Sequence, residues 1–120
     1  MSALVKAISV EQLSPSPKSR IQFAWSHFQQ VPNKSGCYVL ATFSGDVMYV
    51  GQATSSIRDR FCAHLDTPEK RALGPIGAAY WFYYFLCDSN RVSSIERGWM
   101  NHAILETGKR PLLNKADAPT

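Results

Sequence analysis

The chain contains no long run of hydrophobic residues. Among its 120 residues, the longest apolar candidate covers residues 78–87, which is about half the length of a membrane-spanning helix. Its tyrosine, tryptophan and phenylalanine residues are typical of a buried strand instead. We therefore expect no membrane partner.

Cysteine is scarce and shows no pairing pattern. The three cysteines, Cys37, Cys62 and Cys87, have no CxxC spacing, so neither a disulfide framework nor a zinc knuckle is indicated. Unpaired cysteines inside predicted elements are typical of a reducing compartment. We expect a cytoplasmic protein.

Charged residues form no run of one sign, so no basic tail supplies general affinity for a polyanion. Thirteen Lys and Arg against nine Asp and Glu leave a formal net charge of +4. This surplus favours a nucleic-acid partner, although plain soluble domains often carry a similar one. The length fits one domain and leaves no room for a separate DNA-reading domain of usual size.

The chain divides into an arm and a domain. Residues 1–20 form a predicted N-terminal arm or linker that can add a strand, because Ser14-Pro15-Ser16-Pro17 favours extended backbone. Residues 21–120 form the predicted domain. At its start, Ile21, Trp25 and Phe28 lie at helical spacing and predict a helix over residues 21–30.

Two segments of period two predict a β-hairpin. Residues 37–42 and 47–51 alternate like strands, and Ser44-Gly45-Asp46 between them is turn chemistry. Side chains on one face of neighbouring strands approach within roughly 5 Å at Cβ, so Tyr38 and Tyr49 are expected to share a face. Both are also compatible with ordinary strand tyrosines that pack for area.

The segment after the hairpin predicts a helix whose apolar stripe begins at Ile57. At about 100° per residue, Arg60 and His64 lie on one flank of that stripe and Arg58 lies on the other. The spacing alone does not indicate which of the two arginines is functional. Residues 66–77 follow as a long loop, and we expect this loop to touch substrate.

The aromatic-rich residues 79–86 predict a third strand that is buried on both faces. The functional alternative is that its aromatic side chains form a platform on which nucleic-acid bases stack. A helix that begins near Val92 and stops at Gly108 comes next. Glu96 lies at the edge of its apolar stripe. Since Ser93-x-x-Glu96 also matches a capping box, Glu96 is either a functional acid or a cap.

Several short motifs follow one another in a recognisable order: Gly36-Cys37-Tyr38, Tyr49-Val50-Gly51, Arg60, His64, Glu96 and Asn114. In this respect residues 31–114 resemble the GIY-YIG endonuclease family. The resemblance implies an α/β fold with a small three-stranded antiparallel sheet flanked by helices. It also implies a metal-dependent endonuclease that hydrolyses phosphodiester bonds of DNA. The alternatives are a catalytically inactive nucleic-acid-binding module on the same scaffold and a protein-interaction domain.

The resemblance also implies roles for individual residues. Glu96 would hold Mg²⁺ or Mn²⁺, and Arg60 would clamp the phosphate. Tyr38 would orient or deprotonate the attacking water, with hydrogen bonds from Tyr49 and His64. Contacts to nucleic acid are expected from Gly51, Gln52, Arg58, Lys109, Arg110 and Asn114.

The chain departs from the family pattern at two places. Gln52 stands where many members have a lysine, and it carries no charge. Glu96 lies farther before Pro111 and Asn114 than in compact members, which makes Glu106 a rival metal ligand. No motif in the sequence indicates a homodimer or a protein partner.

Overall fold

The described part of the chain, residues 7–114, forms one sheet of four antiparallel strands. In the computed structural model they are β1 (Ser19–Gln22), β2 (Gly36–Ala41), β3 (Val47–Ala53) and β4 (Trp81–Leu86). Their order across the sheet is β1-β4-β2-β3. Residues 1–6 of the predicted arm lie outside the described residues. With its helices, the architecture belongs to the predicted α/β class.

The prediction of a three-stranded sheet was wrong, because β1 adds a fourth strand. It pairs with β4, and Ile21 lies opposite Phe82. Both side chains are buried in one hydrophobic cluster, and the apolar area removed from water there stabilises an extended segment. The helix predicted over residues 21–30 is therefore shorter, a 3₁₀ helix over Trp25–Gln30.

The predicted hairpin is confirmed. β2 and β3 pair antiparallel, with Tyr38 opposite Gly51 and Leu40 opposite Tyr49. Gly45 in the turn has a φ of 95°, a left-handed conformation that favours glycine. Every residue of both strands is buried, so the hairpin forms the centre of the fold.

The α-helices within residues 7–114 are α1 (Ile57–Leu65), α2 (Pro68–Arg71) and α3 (Val92–Thr107). Ser56 caps α1 by accepting a hydrogen bond from the backbone N–H of Asp59. α3 ends at Gly108, whose φ of 84° is again left-handed. The helices predicted after the hairpin and after the third predicted strand are confirmed, and α2 lies within the predicted loop.

A hydrophobic cluster covers each face of the hairpin. On one face, Val39 packs with α3 and with Ile8 and Val10 of the N-terminal segment. On the other face, Leu40 packs with Phe61 of α1. Both helices also contact β3, the outer strand of the sheet. Side chains from α1 and α3 can therefore reach a common place beside β3.

The strand predicted at residues 79–86 is confirmed as β4, but its predicted burial on both faces was wrong. Only Phe82 among its six residues is buried. The reason is that α1 and α3 pack on β2 and β3, whereas β4 contacts mainly its neighbouring strands β1 and β2. None of the helices within residues 7–114 is long and apolar enough to cross a membrane.

Candidate active site

Tyr38 and Tyr49 lie on one face of the hairpin, as the strand alternation predicts. Their rings stack with centroids 6.2 Å apart, and their side chains are 1% and 7% exposed. Gly51 lies opposite Tyr38, and a Cβ at that position would come within 2.5 Å of the Tyr38 hydroxyl oxygen. Gly51, which has no side chain, therefore leaves room for the phenol of Tyr38.

His64 brings an imidazole from α1 to the two phenols. Its Nε2 lies 2.7 Å from the Tyr38 hydroxyl oxygen, and its ring centroid lies 4.9 Å from that of Tyr49. Burial, then the charges of Lys70 and Arg60, lower the pKa of His64 to about 4. The imidazole is therefore neutral near pH 7, and its unprotonated nitrogen can accept a hydrogen bond from its phenol partner.

Both phenols keep their protons at neutral pH. Burial is the largest reason that the pKa of Tyr38 is well above its ordinary value; the charges of Tyr49 and Glu96 raise it further, and Arg60 lowers it. The pKa of Tyr49 is also raised, first by burial and then by Glu96. The Arg60 cation does not outweigh burial, so these residues offer hydroxyl groups and not phenolates.

Arg60 acts electrostatically on every other member of this group. Its positive charge lowers the pKa of Tyr38, of Tyr49, of His64 and of Glu96. Tyr38, Tyr49 and His64 also contact one another, and Coulomb interactions weaken with distance, so these contacts and charge effects together define one group of side chains. We call Tyr38, Tyr49, Arg60, His64 and Glu96 the site cluster.

Glu96 is a buried carboxylate with an unsatisfied oxygen. Its side chain is 1% exposed, and its Oε2 has no hydrogen-bond partner among residues 7–114. Burial raises the pKa of Glu96 to about 7, and the charges of Arg60 and Arg97 oppose that rise. Burying a carboxylate without a partner is costly, so this oxygen suits a hard cation that prefers oxygen ligands.

The alternative that Glu96 caps α3 was wrong. The N-cap position is Arg91, and no side chain accepts a capping hydrogen bond there. Ser93 donates its hydroxyl to Gln52 Oε1 at 3.2 Å instead. The rival acid, Glu106, lies exposed near the end of α3. The structure therefore places Glu96, and not Glu106, with the tyrosines.

Two of the residues expected to contact nucleic acid, Asn114 and Gln52, are buried and bonded within the protein. The Asn114 side chain accepts from the N–H of Val50 at 2.9 Å and donates to the carbonyl of Val50 at 3.0 Å. Gln52 accepts from Ser93. Their expected contacts with a substrate stay predictions, and their bonds to neighbouring elements hold β3 in place.

The three basic residues expected to contact nucleic acid, Arg58, Lys109 and Arg110, lie in different parts of the structure. Arg58 donates from Nε to the carbonyl of Val31 at 2.8 Å and from Nη2 to the carbonyl of Gln29 at 3.1 Å. It thus ties α1 to the end of the 3₁₀ helix. Lys109 is exposed and Arg110 is half-buried just beyond α3. Contacts of these three residues with nucleic acid stay predictions.

Sequence reasoning missed Lys70 as an individual residue. Its Nζ lies 4.7 Å from the centroid of the Tyr49 ring, and its charge is the second cause that lowers the pKa of His64. The only signal was the expectation that the loop over residues 66–77 touches substrate. No periodicity links a loop lysine to a strand tyrosine, so the tertiary structure alone reveals this contact.

Within residues 7–114, no group of three or more His, Cys, Asp or Glu side chains is arranged to hold a metal ion. Glu96 is thus a candidate ligand as a single carboxylate. A scan against protein-family models finds no model that matches the chain, and a search of curated proteins finds no match. The site cluster itself is therefore the basis for a functional proposal.

Proposed function

We propose that this chain is a GIY-YIG-type endonuclease that hydrolyses phosphodiester bonds of DNA with Mg²⁺ or Mn²⁺. The observation that carries the proposal is the site cluster, in which Tyr38, Tyr49 and His64 contact one another. The charge of Arg60 acts on all three, and that of Glu96 acts on both tyrosines. A phosphodiester repels nucleophiles, so its hydrolysis needs a positioned water, a cation on the phosphate and a proton acceptor. The cluster contains groups suited to each task.

Glu96 is the residue that would hold the metal ion. Its buried Oε2, which has no partner within the described residues, fits a divalent cation. Mg²⁺ commonly takes one or two carboxylates with water and phosphate oxygens as its other ligands. When bound, the cation supplies charge neutralisation at the phosphate and at the leaving oxygen. A single carboxylate at this position is compatible with such a site.

Arg60 is the residue suited to the phosphate. Its guanidinium is permanently charged and presents paired donors that match phosphate oxygens. It is half-buried on α1, one turn before His64. In this role Arg60 orients the scissile group and stabilises the charge that develops on it.

Tyr38 and His64 are suited to move the proton of the attacking water. In the tautomer of neutral His64 that carries its proton on Nδ1, the Tyr38 hydroxyl donates to Nε2 across 2.7 Å. Tyr38 takes a proton from water as it gives its own proton to His64. Tyr38 ends neutral and the imidazole ends as imidazolium. This relay needs no phenolate, which agrees with the raised pKa of Tyr38.

The second candidate is a nucleic-acid-binding module without catalysis. It is favoured by Gln52, a neutral side chain engaged by Ser93 at the position where many relatives in the resembled family carry a lysine. Such a module would use the net charge of +4 and would need neither metal nor Glu96.

Nicking of supercoiled plasmid with and without Mg²⁺ tests the proposal. We expect metal-dependent nicking by the parent chain and none by Glu96→Gln. Thermal unfolding supplies a readout besides activity, because an ion that binds only the folded state stabilises it. Mg²⁺ should raise the thermal midpoint of the parent and not of Glu96→Gln. DNA binding without nicking or a Mg²⁺ shift would support the module, and absence of binding would support an interaction domain.

A further inference from the structure

Lys70 lies at the edge of the site cluster on a segment that α1 positions. After α1, Thr67 donates its backbone N–H to the carbonyl of His64 at 3.0 Å and its hydroxyl to the carbonyl of Ala63 at 2.9 Å. Lys70 then donates its backbone N–H to the carbonyl of Thr67 at 3.0 Å. This chain of bonds fixes α2 directly after the helix that carries Arg60 and His64.

The Lys70 ammonium group lies over the ring of Tyr49. Nζ lies 4.7 Å from the centroid of the Tyr49 ring, which is within the range of a cation–π contact. Tyr49 in turn packs against both Tyr38 and His64. Lys70 is half-buried, whereas Glu69 and Arg71 beside it on α2 are exposed.

We propose that Lys70 forms a second phosphate-binding position, which takes a backbone phosphate of the nucleic acid next to the scissile phosphate held by Arg60. The two cations approach the phenols from different elements, Arg60 from α1 and Lys70 from α2. A lysine ammonium on a flexible stem binds phosphate as a point charge, without the fixed geometry of a guanidinium. Such contacts position the strand and carry no sequence information. This inference rests on the proposed function.

The salt dependence of DNA binding tests the position. In metal-free buffer, Lys70→Met keeps most of the aliphatic stem and removes one charge, so the slope of log K against log salt should fall in magnitude by about 0.9. Affinity for duplex DNA at low salt should fall about fivefold or more. Lys70→Arg should keep the parent slope. Arg71→Met is the matched control on the same helix and should change the slope much less.

A second measurement separates failure of this inference from failure of the proposed function. The groups that face His64 are Tyr38, Tyr49, Arg60 and Lys70, and an NMR titration of its imidazole needs no DNA. Lys70→Met should raise the titration midpoint of His64, and Lys70→Arg should not.

The outcomes are distinct. An unmoved His64 midpoint in Lys70→Met, or equal slope changes in Lys70→Met and Arg71→Met, would overturn the Lys70 position while leaving nuclease function intact. If Lys70→Met shifts the His64 midpoint but the parent chain binds no DNA, both phosphate binding by Lys70 and the proposed function are overturned. The reduced slope together with the shifted midpoint supports the inference.

Discussion

Two sets of buried polar side chains surround the hairpin, and they differ in where their hydrogen bonds go. Asn114 is bonded through both ends of its amide to the backbone of Val50. In the site cluster, Tyr38 and His64 bond to each other, and Glu96 keeps one oxygen without a partner among the described residues. Buried polar groups normally have partners that the fold supplies. The comparison separates side chains whose hydrogen bonds stabilise the fold from the side chains to which our proposal assigns substrate and metal.

Arg58 and Arg60 lie on one helix and differ in the same way as the two sets of buried side chains. Arg58 donates to two backbone carbonyls and ties α1 to a neighbouring segment. Arg60, two residues later, influences the pKa of four side chains in the site cluster. Two arginines that look alike in sequence therefore belong to different sets.

The largest effect is expected from Glu96→Gln, which should abolish metal-dependent nicking and yet stabilise the fold at pH 8. The pKa of Glu96 rises from 4.5 to about 7 on folding, so the folded chain binds more protons between these values and its stability falls as pH rises through them. Above pH 7 the full penalty is present, and the neutral amide removes it. We expect a thermal midpoint roughly 5 °C above the parent.

The control for this variant is Glu106→Gln, which should nick and unfold like the parent. Well below pH 4.5 the carboxyl of Glu96 is protonated in both states, so the difference in midpoint between parent and Glu96→Gln should vanish. Full nicking by Glu96→Gln with loss in Glu106→Gln would assign the metal to Glu106.

The next effect concerns the two arginines. Arg60→Ala should cut turnover by about 100-fold or more, because a transition-state charge contact is lost. Arg58→Ala should instead lower the thermal midpoint, since two carbonyls lose their donor, and turnover per folded molecule should stay near that of the parent. Single-turnover nicking and thermal unfolding of both variants measure this contrast. Equal, small changes in turnover would remove Arg60 from the site.

A smaller effect is expected from Tyr38→Phe, which interrupts the proposed relay. Turnover should fall by about 100-fold, while DNA affinity stays unchanged and stability changes by about 1 kcal/mol for one buried hydrogen bond. Tyr84→Phe, a half-buried tyrosine of β4 in the same hydrophobic cluster, is the matched control. If Tyr38→Phe nicks at the parent rate under saturating Mg²⁺, Tyr38 does not handle the attacking water, and that role would be assigned to Tyr49 or His64.

The smallest effect on chemistry is expected from Asn114→Ala. Loss of two buried hydrogen bonds to Val50 should destabilise the fold by about 2–3 kcal/mol, measured by urea unfolding. Turnover per folded molecule should change less than in Tyr38→Phe. A large loss of turnover with unchanged stability would move Asn114 from the set that stabilises the fold to the set that acts on substrate.

Periodicity predicted the elements that are regular over many residues. The alternation around Tyr38 and Tyr49 predicted the hairpin, and the stripes that begin at Ile57 and Val92 predicted α1 and α3. The arm over residues 1–20 was expected to be able to add a strand, but β1 was not located. A four-residue strand gives too short a pattern, and Ile21 fits a helical stripe equally well. Its partner in β4 is Phe82, 61 residues later in the sequence, and that pairing decides its conformation.

By itself, the sequence determined which groups were available: two phenols on alternating strands, an arginine and a histidine one turn apart on a helix, and a lone acid on another. Local spacing sets such relations because backbone geometry repeats over a few residues. Only the tertiary structure decided that Glu96 is buried with one oxygen unpartnered among residues 7–114, that Arg58 is bonded to the backbone and that Lys70 lies over Tyr49. Burial and partners depend on contacts between residues far apart in the chain, and these contacts set the charge and hydrogen bonding of each group.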